Sequence, residues 1–244
     1  MSFITKLRSL GRSLAARSAF PDPTMNLPGN EFEVDKWTIS EFVVRRLVPI
    51  VGVRPYPLDE LLLMTAAICR FKPTHIFEWG THLGKSARIF FEVAKRFRIN
   101  TVIHSIDLPD RSHHLEHPGR KRGRLVKHIP EVILHQGDGL DESLKMCDML
   151  RDADIKPLFF LDGDHEYTSV SRELLGIMAG VPNAVIMVHD TFYQSAEAGY
   201  NIGPHKAITD ALQSVPDRYS RISTATGLPG LTLLFPYPDF SASA

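Results

Sequence analysis

Polar residues that can take part in chemistry follow five short apolar segments of this 244-residue sequence. The five groups are residues 78–86, Asp107, 136–138, 162–165 and 189–191. Each group contains an acid, and three of them also contain a histidine. Carboxylates accept hydrogen bonds from polar ligands, and an imidazole takes up or releases a proton near neutral pH. These groups are the candidate site, provided that the fold brings them together.

The apolar segments have the length and composition of buried parallel strands, and helical patterns lie between them. This alternation is typical of an α/β domain in which helices cover both faces of a sheet. Ligands bind such a sheet at the carboxyl ends of its strands, which is where the five polar groups are found. We predict strands at 74–77, 101–106, 132–135, 158–161, 184–188 and 231–235, and helices at 40–48, 58–71, 85–97, 141–150, 169–178 and 204–215.

The composition excludes several classes of protein. The chain is 43% hydrophobic and 23% charged, as in an ordinary globular domain and unlike a disordered or fibrous chain. Its formal net charge of +0 provides no overall field that would hold nucleic acid. The two cysteines, Cys69 and Cys147, lie in apolar helical patterns without metal-ligand spacing. We therefore expect a reducing compartment, and we predict a cytoplasmic protein.

The first residues of the chain differ from the rest. Within residues 1–20, four basic residues alternate with apolar ones and no acid occurs, a pattern that indicates a basic amphipathic helix. Such a helix would contact a membrane surface or a partner, although a helix packed on its own domain has the same pattern. We predict a basic N-terminal helix and linker over residues 1–35 and a single domain over residues 36–244. No apolar run has the roughly 20 residues of a membrane span.

The glycine turn after the first predicted strand is typical of nucleotide-binding proteins. Gly80 and Gly84 let the backbone approach a ligand, and the following helix presents its N–H groups. The spacing does not fit the dinucleotide pattern G-x-G-x-x-G. It nearly fits a P-loop, since Gly84 is followed by Lys85 and Ser86, but Trp79 replaces the first glycine. A P-loop-like phosphoryl-transfer enzyme therefore remains an alternative.

The order of these motifs resembles the class I S-adenosylmethionine (SAM)-dependent methyltransferases. The resemblance covers most of the chain after residue 55 and implies a Rossmann-like, doubly wound, mostly parallel sheet of seven strands with helices on both faces. It implies that Glu78 faces the methionine end of the cofactor, that the glycines give the cofactor room, and that Asp107 holds the ribose hydroxyls. The implied cofactor residues are Glu78, Gly80, Thr81, Gly84, Ser86, Asp107, Gln136, Gly137, Asp138 and Asp162.

The motifs at 160–167 and 188–191 are similar to those of the metal-dependent small-molecule O-methyltransferases, the catechol and macrocin O-methyltransferase type. That resemblance implies that Asp162 and Asp190 bind a divalent metal and that His165 is the general base. His189 departs from the pattern, because an acid or amide usually stands there. As a third ligand it would favour a softer ion than Mg²⁺, such as Mn²⁺ or iron. Alternatively, it forms hydrogen bonds at the sheet rim and binds no metal.

We therefore predict a SAM-dependent O-methyltransferase that acts on a hydroxyl of a sugar or another small natural product. Its cofactors would be SAM and, as an option, a divalent metal, Mg²⁺ or Mn²⁺. We expect a small-molecule partner, no nucleic acid, and a homo-oligomer. The basic segment 110–128 would form a lid or bind a phosphorylated substrate, or else be a solvated helix face. Apart from the phosphoryl-transfer enzyme, a non-catalytic nucleoside-binding module remains an alternative.

Overall fold

A computed structural model describes residues 32, 34–110, 112, 119–151, 153 and 155–236. The helix predicted within residues 1–20, and nearly all of the linker that follows it, lie outside the described residues. So do residues 113–118 of the basic segment. The fold described here begins with the helix that follows Asp35.

A seven-stranded sheet forms the centre of the molecule, with strand order β3-β2-β1-β4-β5-β7-β6. Strands β1 to β5 are parallel, whereas β7 runs antiparallel to both β5 and β6. This architecture confirms the predicted doubly wound, mostly parallel sheet. The strands are β1 His75–Trp79, β2 Val102–Asp107, β3 Val132–Gln136, β4 Pro157–Leu161, β5 Val185–His189, β6 Tyr219–Ser223 and β7 Leu231–Pro236.

Helices cover both faces of the sheet, and two of them have the predicted bounds. These are α3, Leu58–Phe71, and α4, Lys85–Phe97. The helix predicted at 40–48 is part of a longer helical run, which begins where the Asp35 side chain accepts hydrogen bonds from the N–H groups of residues 37 and 38. The other helical elements are α1 Lys36–Phe42, a π-helical stretch Val43–Leu47, α2 Val48–Val51, a short 3₁₀ turn Gly119–Lys121, α5 Gly139–Met149, α6 Tyr167–Gly180 and α7 Ile202–Ser214.

The core has two layers because side chains alternate along each strand. The layer on one face includes Phe160 and residues of α3 and α4, and the layer on the other face includes Phe159 and residues of α6 and α7. Every residue of β4 is buried. Such a strand, covered on both faces, explains why its sequence is continuously apolar.

Four parallel strands, β1, β2, β3 and β5, end one or two residues later than predicted, and this corrects the placement of four candidate site residues. Glu78 lies inside β1, and Asp107, Gln136 and His189 are the last residues of β2, β3 and β5. The reason is that the parallel ladder continues past the apolar residues. Glu78, for example, is paired with both Ser105 and Phe160. A backbone ladder accepts a polar side chain as readily as an apolar one, so the loss of apolar character does not end a strand.

Three histidines form a row across β1, β2 and β3. His75 Nδ1 lies 3.1 Å from His104 Nε2, and His104 Nδ1 lies 3.1 Å from His135 Nε2. Burial, together with the neighbouring His135 and His75 rings, lowers the pKa of His104 to about 4. Burial also lowers the pKa of His75 and of His135. The row is therefore neutral at pH 7.

We expect this row to make the fold sensitive to acid. In the unfolded chain His104 takes up a proton near its ordinary pKa of about 6.5, but in the folded protein only near pH 4, so stability falls as the pH drops through that window. For His104 alone the loss between pH 7 and pH 5 is about 2 kcal/mol. Urea unfolding at both pH values should show this loss in the wild type and in His128→Gln, whose ring is exposed. A His104→Gln variant with an equally large loss would contradict the assignment.

Candidate active site

A cavity of about 1280 Å³ opens at the carboxyl ends of the central strands. Its wall brings together eight of the predicted site residues, which are Gly80, Thr81, Ser86, Asp107, Asp162, His165, His189 and Asp190. The loop before α3 adds Arg54 and Tyr56, and the far side of the mouth adds Tyr200 and Leu228. The position is the one at which α/β sheets bind ligands.

Five predicted cofactor residues do not line this cavity. Glu78 lies inside the sheet, and Gly84 begins α4. Gly137 and Asp138 follow β3, where Asp138 accepts a hydrogen bond from Asp141 N at the start of α5 and forms an ion pair with Arg172. Gln136 shares hydrogen bonds with Asp110. The residues after β3 therefore lie apart from the main cavity, and they have partners within the protein.

The turn between β1 and α4 needs glycine at Gly80. Its φ is +93°, a conformation that other residues rarely adopt. A Cβ atom there would also lie 2.2 Å from the carbonyl oxygen of Asp162, which is closer than atoms can approach. The turn thus packs directly against the end of β4. The described part of the basic segment 110–128 also holds the turn through two hydrogen bonds. Gly123 N donates one to His82 O, and Leu125 N donates the other to Leu83 O.

The carboxylate of Asp107 is held in place at the cavity wall. Its Oδ2 accepts a hydrogen bond from His82 N at 3.0 Å, and its Oδ1 accepts one from Leu108 N at 2.9 Å. Two backbone donors fix its orientation, while each oxygen keeps a further lone pair. A ligand that offers two adjacent hydroxyls would suit this acceptor.

Glu78 lies under the turn and is fully buried. Burial raises its pKa to about 8, so this carboxyl is mostly protonated at pH 7. Ser105 Oγ donates a hydrogen bond to Oε1, whereas Oε2 has no partner among the described residues. A neutral carboxyl can donate a hydrogen bond as well as accept one, which an ionised acid cannot do.

Asp162, His189 and Asp190 form a cluster deeper in the cavity. His189 Nδ1 lies 2.9 Å from Asp162 Oδ1 and 3.3 Å from Asp190 Oδ2. Burial would lower the pKa of His189. The adjacent Asp162 charge and the hydrogen bonds to Asp162, Asp190 and Glu60 outweigh burial and raise that pKa well above its ordinary value. His189 is therefore an imidazolium between carboxylates in this structure.

The same three residues have the donor atoms of a metal site. One ligand atom from each lies within 4.8 Å of the others, and no lysine or arginine of the described residues forms an ion pair with any of them. Two carboxylate oxygens and one imidazole nitrogen suit Mn²⁺ or another transition ion better than Mg²⁺, which prefers oxygen ligands. The residues thus fit a divalent cation, which would take the place of the proton on His189 Nδ1.

Tyr56 and Glu60 complete the cluster, and the sequence analysis did not identify either of them. The Tyr56 hydroxyl donates to Asp162 Oδ2 at 2.6 Å, and Glu60 Oε2 lies 3.0 Å from His189 Nε2. Burial first, and then the Asp162 charge, raise the pKa of Tyr56 well above its ordinary value, which keeps its proton available to Asp162. Glu60 lies in the first turn of a helix, where acids are common because they face the helix dipole. Its position in the sequence therefore gave no signal.

His165 lies at the mouth of the cavity beside the cluster. Its Nδ1 lies 3.2 Å from Asp190 Oδ2, and its side chain is 43% exposed. The neighbouring Asp164 accepts hydrogen bonds from Glu166 N and Ser169 Oγ and so stabilises the turn into α6. This turn directs His165 towards Asp190, with one ring nitrogen available to a ligand.

Comparison with known proteins identifies the fold that carries this site. A family model described as a methyltransferase domain matches residues 77–191, which extend from β1 to the residue after Asp190. Residues 77–191 are similar to a methyltransferase domain. The match confirms the predicted enzyme class, a SAM-dependent methyltransferase, and it disfavours the P-loop alternative. No curated protein sequence matches the chain.

Solved structures share the fold of this methyltransferase at low sequence identity. An O-methyltransferase from Streptomyces achromogenes involved in tomaymycin synthesis, solved with SAM, is 16% identical, with a TM-score of 0.51 over 93% of this chain and 96% of that one. A Bacillus cereus O-methyltransferase in complex with SAH (S-adenosylhomocysteine) is 14% identical, with a TM-score of 0.51 over 82% and 90%. A Podospora anserina methyltransferase bound to SAH is 14% identical, with a TM-score of 0.50 over 98% of both chains.

If Asp107 holds the ribose of the cofactor, its removal should weaken cofactor binding to this methyltransferase. Asp107→Ala loses two hydrogen bonds to an ionised acceptor, each contributing roughly 1.5–3 kcal/mol, so SAH should bind at least about 100-fold more weakly. Isothermal titration calorimetry measures the difference. Asp148→Ala, which removes an exposed acid of α5, should bind SAH like the wild type. Equal affinity of Asp107→Ala and the wild type would show that Asp107 does not contact the ribose.

Proposed function

We propose that this methyltransferase transfers the methyl group of SAM to a hydroxyl group of a small natural product. One observation carries the proposal. An acid–base group, His165, and the acidic cluster line the same cavity as the glycine turn and Asp107. A cofactor bound at the turn would therefore present its methyl group to residues that can remove a proton from an acceptor.

In the proposed reaction the acceptor hydroxyl gives its proton to His165. The oxygen then attacks the methyl carbon of the sulfonium, an O–C bond forms, the S–C bond breaks, and its electron pair remains on the sulfur of SAH. His165 suits this role because Asp190 Oδ2 lies 3.2 Å from its Nδ1 and orients the ring, which leaves Nε2 to receive the proton.

The remaining cofactor assignments are part of the proposal. Gly80 and Thr81 would contact the methionine portion, with Glu78 beneath them, and Gly84 and Ser86 would begin the helix that faces it. The segment of Gln136, Gly137 and Asp138 would border the adenine from outside the main cavity.

Asp162, His189 and Asp190 would hold a divalent cation in the proposed site. When bound, the cation would lower the pKa of the acceptor hydroxyl. Asp162 would be oriented by the Tyr56 hydroxyl and Asp190 by its contact with His165. The carboxylates of Asp162 and Asp190 would thus face the position of the acceptor oxygen.

The mouth of the cavity favours an acceptor with an apolar portion. Val53, Tyr200 and Leu228 line it, and each exposes more than two-fifths of its surface. These side chains suit the ring system of a natural product better than an unmodified sugar, which exposes hydroxyls on most faces. The proposed acceptor is therefore a small molecule and not a nucleic acid.

Other expectations stay predictions. They are the single domain over 36–244, a homo-oligomer, contact of residues 1–20 with a membrane or a partner, and a cytoplasmic location. Among the described residues, we find no helix with the length and apolar character to span a bilayer.

The cofactor is tested by thermal unfolding with different ligands. SAH at about 100 times its dissociation constant should stabilise the fold by about 2.7 kcal/mol, which raises the melting temperature by roughly 5–10 °C. ATP with Mg²⁺ should give the same melting temperature as Mg²⁺ alone, because Trp79 occupies the position of the first P-loop glycine. A shift with ATP and none with SAH would overturn the proposal.

The base is tested by His165→Ala. Loss of a general base lowers the rate 10²–10⁴-fold, or by about 3–5 kcal/mol of barrier, so kcat should fall by that factor. The affinity for SAM should be retained, since His165 faces the acceptor. Methyl transfer from labelled SAM to a panel of phenols, catechols and sugars measures kcat, and His128→Ala is the control for loss of an exposed histidine. Normal turnover by His165→Ala would remove it from the reaction.

A further inference from the structure

Glu60 is a buried acid to which the proposed reaction has so far given no role. Only 1% of the residue is exposed, although it belongs to the first turn of α3. Its Oε1 accepts a hydrogen bond from Gly230 N at 2.8 Å, and its Oε2 lies 3.0 Å from His189 Nε2. Both oxygens are therefore used, one by the backbone before β7 and one by the imidazole.

The pairing of Glu60 determines how the His189 ring is oriented. An ionised carboxylate carries no hydrogen, so the hydrogen shared between Glu60 and Nε2 belongs to the imidazole. The other nitrogen, Nδ1, then faces Asp162 Oδ1 at 2.9 Å and Asp190 Oδ2 at 3.3 Å. One nitrogen and two carboxylates directed at one point need a positive species between them, which is either a proton or a cation.

We propose that Glu60 is a positioning residue that directs Nδ1 of His189 into a divalent cation site completed by Asp162 and Asp190. The inference rests on the proposed function, because it concerns the metal of that same site. Histidine ligands commonly donate their second N–H to a carboxylate, which fixes the ring and makes the ligand nitrogen more basic. Loss of such a partner costs typically 10–100-fold in metal affinity.

The substitution Glu60→Gln reverses the direction of the hydrogen bond to His189 Nε2, with almost no change in the shape of side chain 60. The amide oxygen must face Gly230 N, because the amide NH₂ cannot accept a hydrogen bond there. The NH₂ group is then directed at His189 Nε2, which becomes an acceptor. In the neutral ring the hydrogen moves to Nδ1, the atom that should bind the metal. A merely structural role for Glu60 predicts no such reversal.

The test measures Mn²⁺ binding in the presence of saturating SAH. Binding is detected as the loss of the electron paramagnetic resonance signal of the aqueous ion. The wild type should bind one Mn²⁺, and Glu60→Gln should bind it 10–100-fold more weakly, while its SAH affinity stays close to that of the wild type. Asp59→Asn is the matched control, because Asp59 precedes Glu60 on the same helix but accepts its hydrogen bond from Thr226. It should bind Mn²⁺ like the wild type.

A second variant keeps the test decisive if Glu60→Gln does not fold. Glu60→Asp retains the charge but is one methylene shorter, so its Mn²⁺ affinity should lie between those of Glu60→Gln and the wild type. Wild-type affinity in the folded variants, or no Mn²⁺ binding by the wild type, would overturn the role of Glu60. Absence of SAH binding would instead refute the proposed function, so the two failures are distinguishable.

Discussion

One imidazole enclosed by three carboxylates determines how the site is assembled. His189 contacts Glu60 through one ring nitrogen and Asp162 and Asp190 through the other. The four side chains are buried or mostly buried. Buried charges are costly unless they are paired, so the elements that bear them must dock in one arrangement. The first turn of α3, the end of β4, the end of β5 and the backbone before β7 are joined in this way. Residues outside the matched segment 77–191 therefore belong to the site.

Much of the fold was predictable because regular elements have strong patterns. The helices α3 and α4 were predicted to the residue, since their apolar residues recur at helical spacing and polar residues bound them. The strand β6 was not predicted. It has only five residues at the sheet edge, of which only Tyr219 is buried, and its sequence has no apolar run. The ends of four of the five parallel strands were misplaced by one or two residues, because a ladder does not stop at the first polar side chain.

The predicted part of the site consists of residues that are neighbours in sequence. The glycine turn, the residues after β4 and the pair His189–Asp190 are local motifs, and the fold places them around one cavity. Tyr56 and Glu60 were not predicted, and they lie outside these motifs in sequence. They meet Asp162 and His189 across 106 and 129 residues of sequence. Tyr56 lies in the loop before α3, and Glu60 stands where the first turn of an ordinary helix would also have an acid. Only the packing of α3 and the preceding loop against the sheet brings Tyr56 to the cavity wall and Glu60 to His189. The ionisation of Glu78 was equally inaccessible, because it depends on complete burial.

The hydrogen bond from Gly230 to Glu60 has a consequence for how such an enzyme could acquire new acceptors. The loop 224–230 borders the mouth through Leu228 and Pro229, and it is the natural place to vary for a different molecule. Its last residue, however, is tied to the acid that contacts His189. Changes in this loop therefore perturb the reacting groups as well as the shape of the mouth. The part of the rim at Tyr200 has a weaker link, a hydroxyl contact of 3.3 Å to Asp190. Divergence of acceptor range, in evolution or in the laboratory, should accumulate on that part of the rim first.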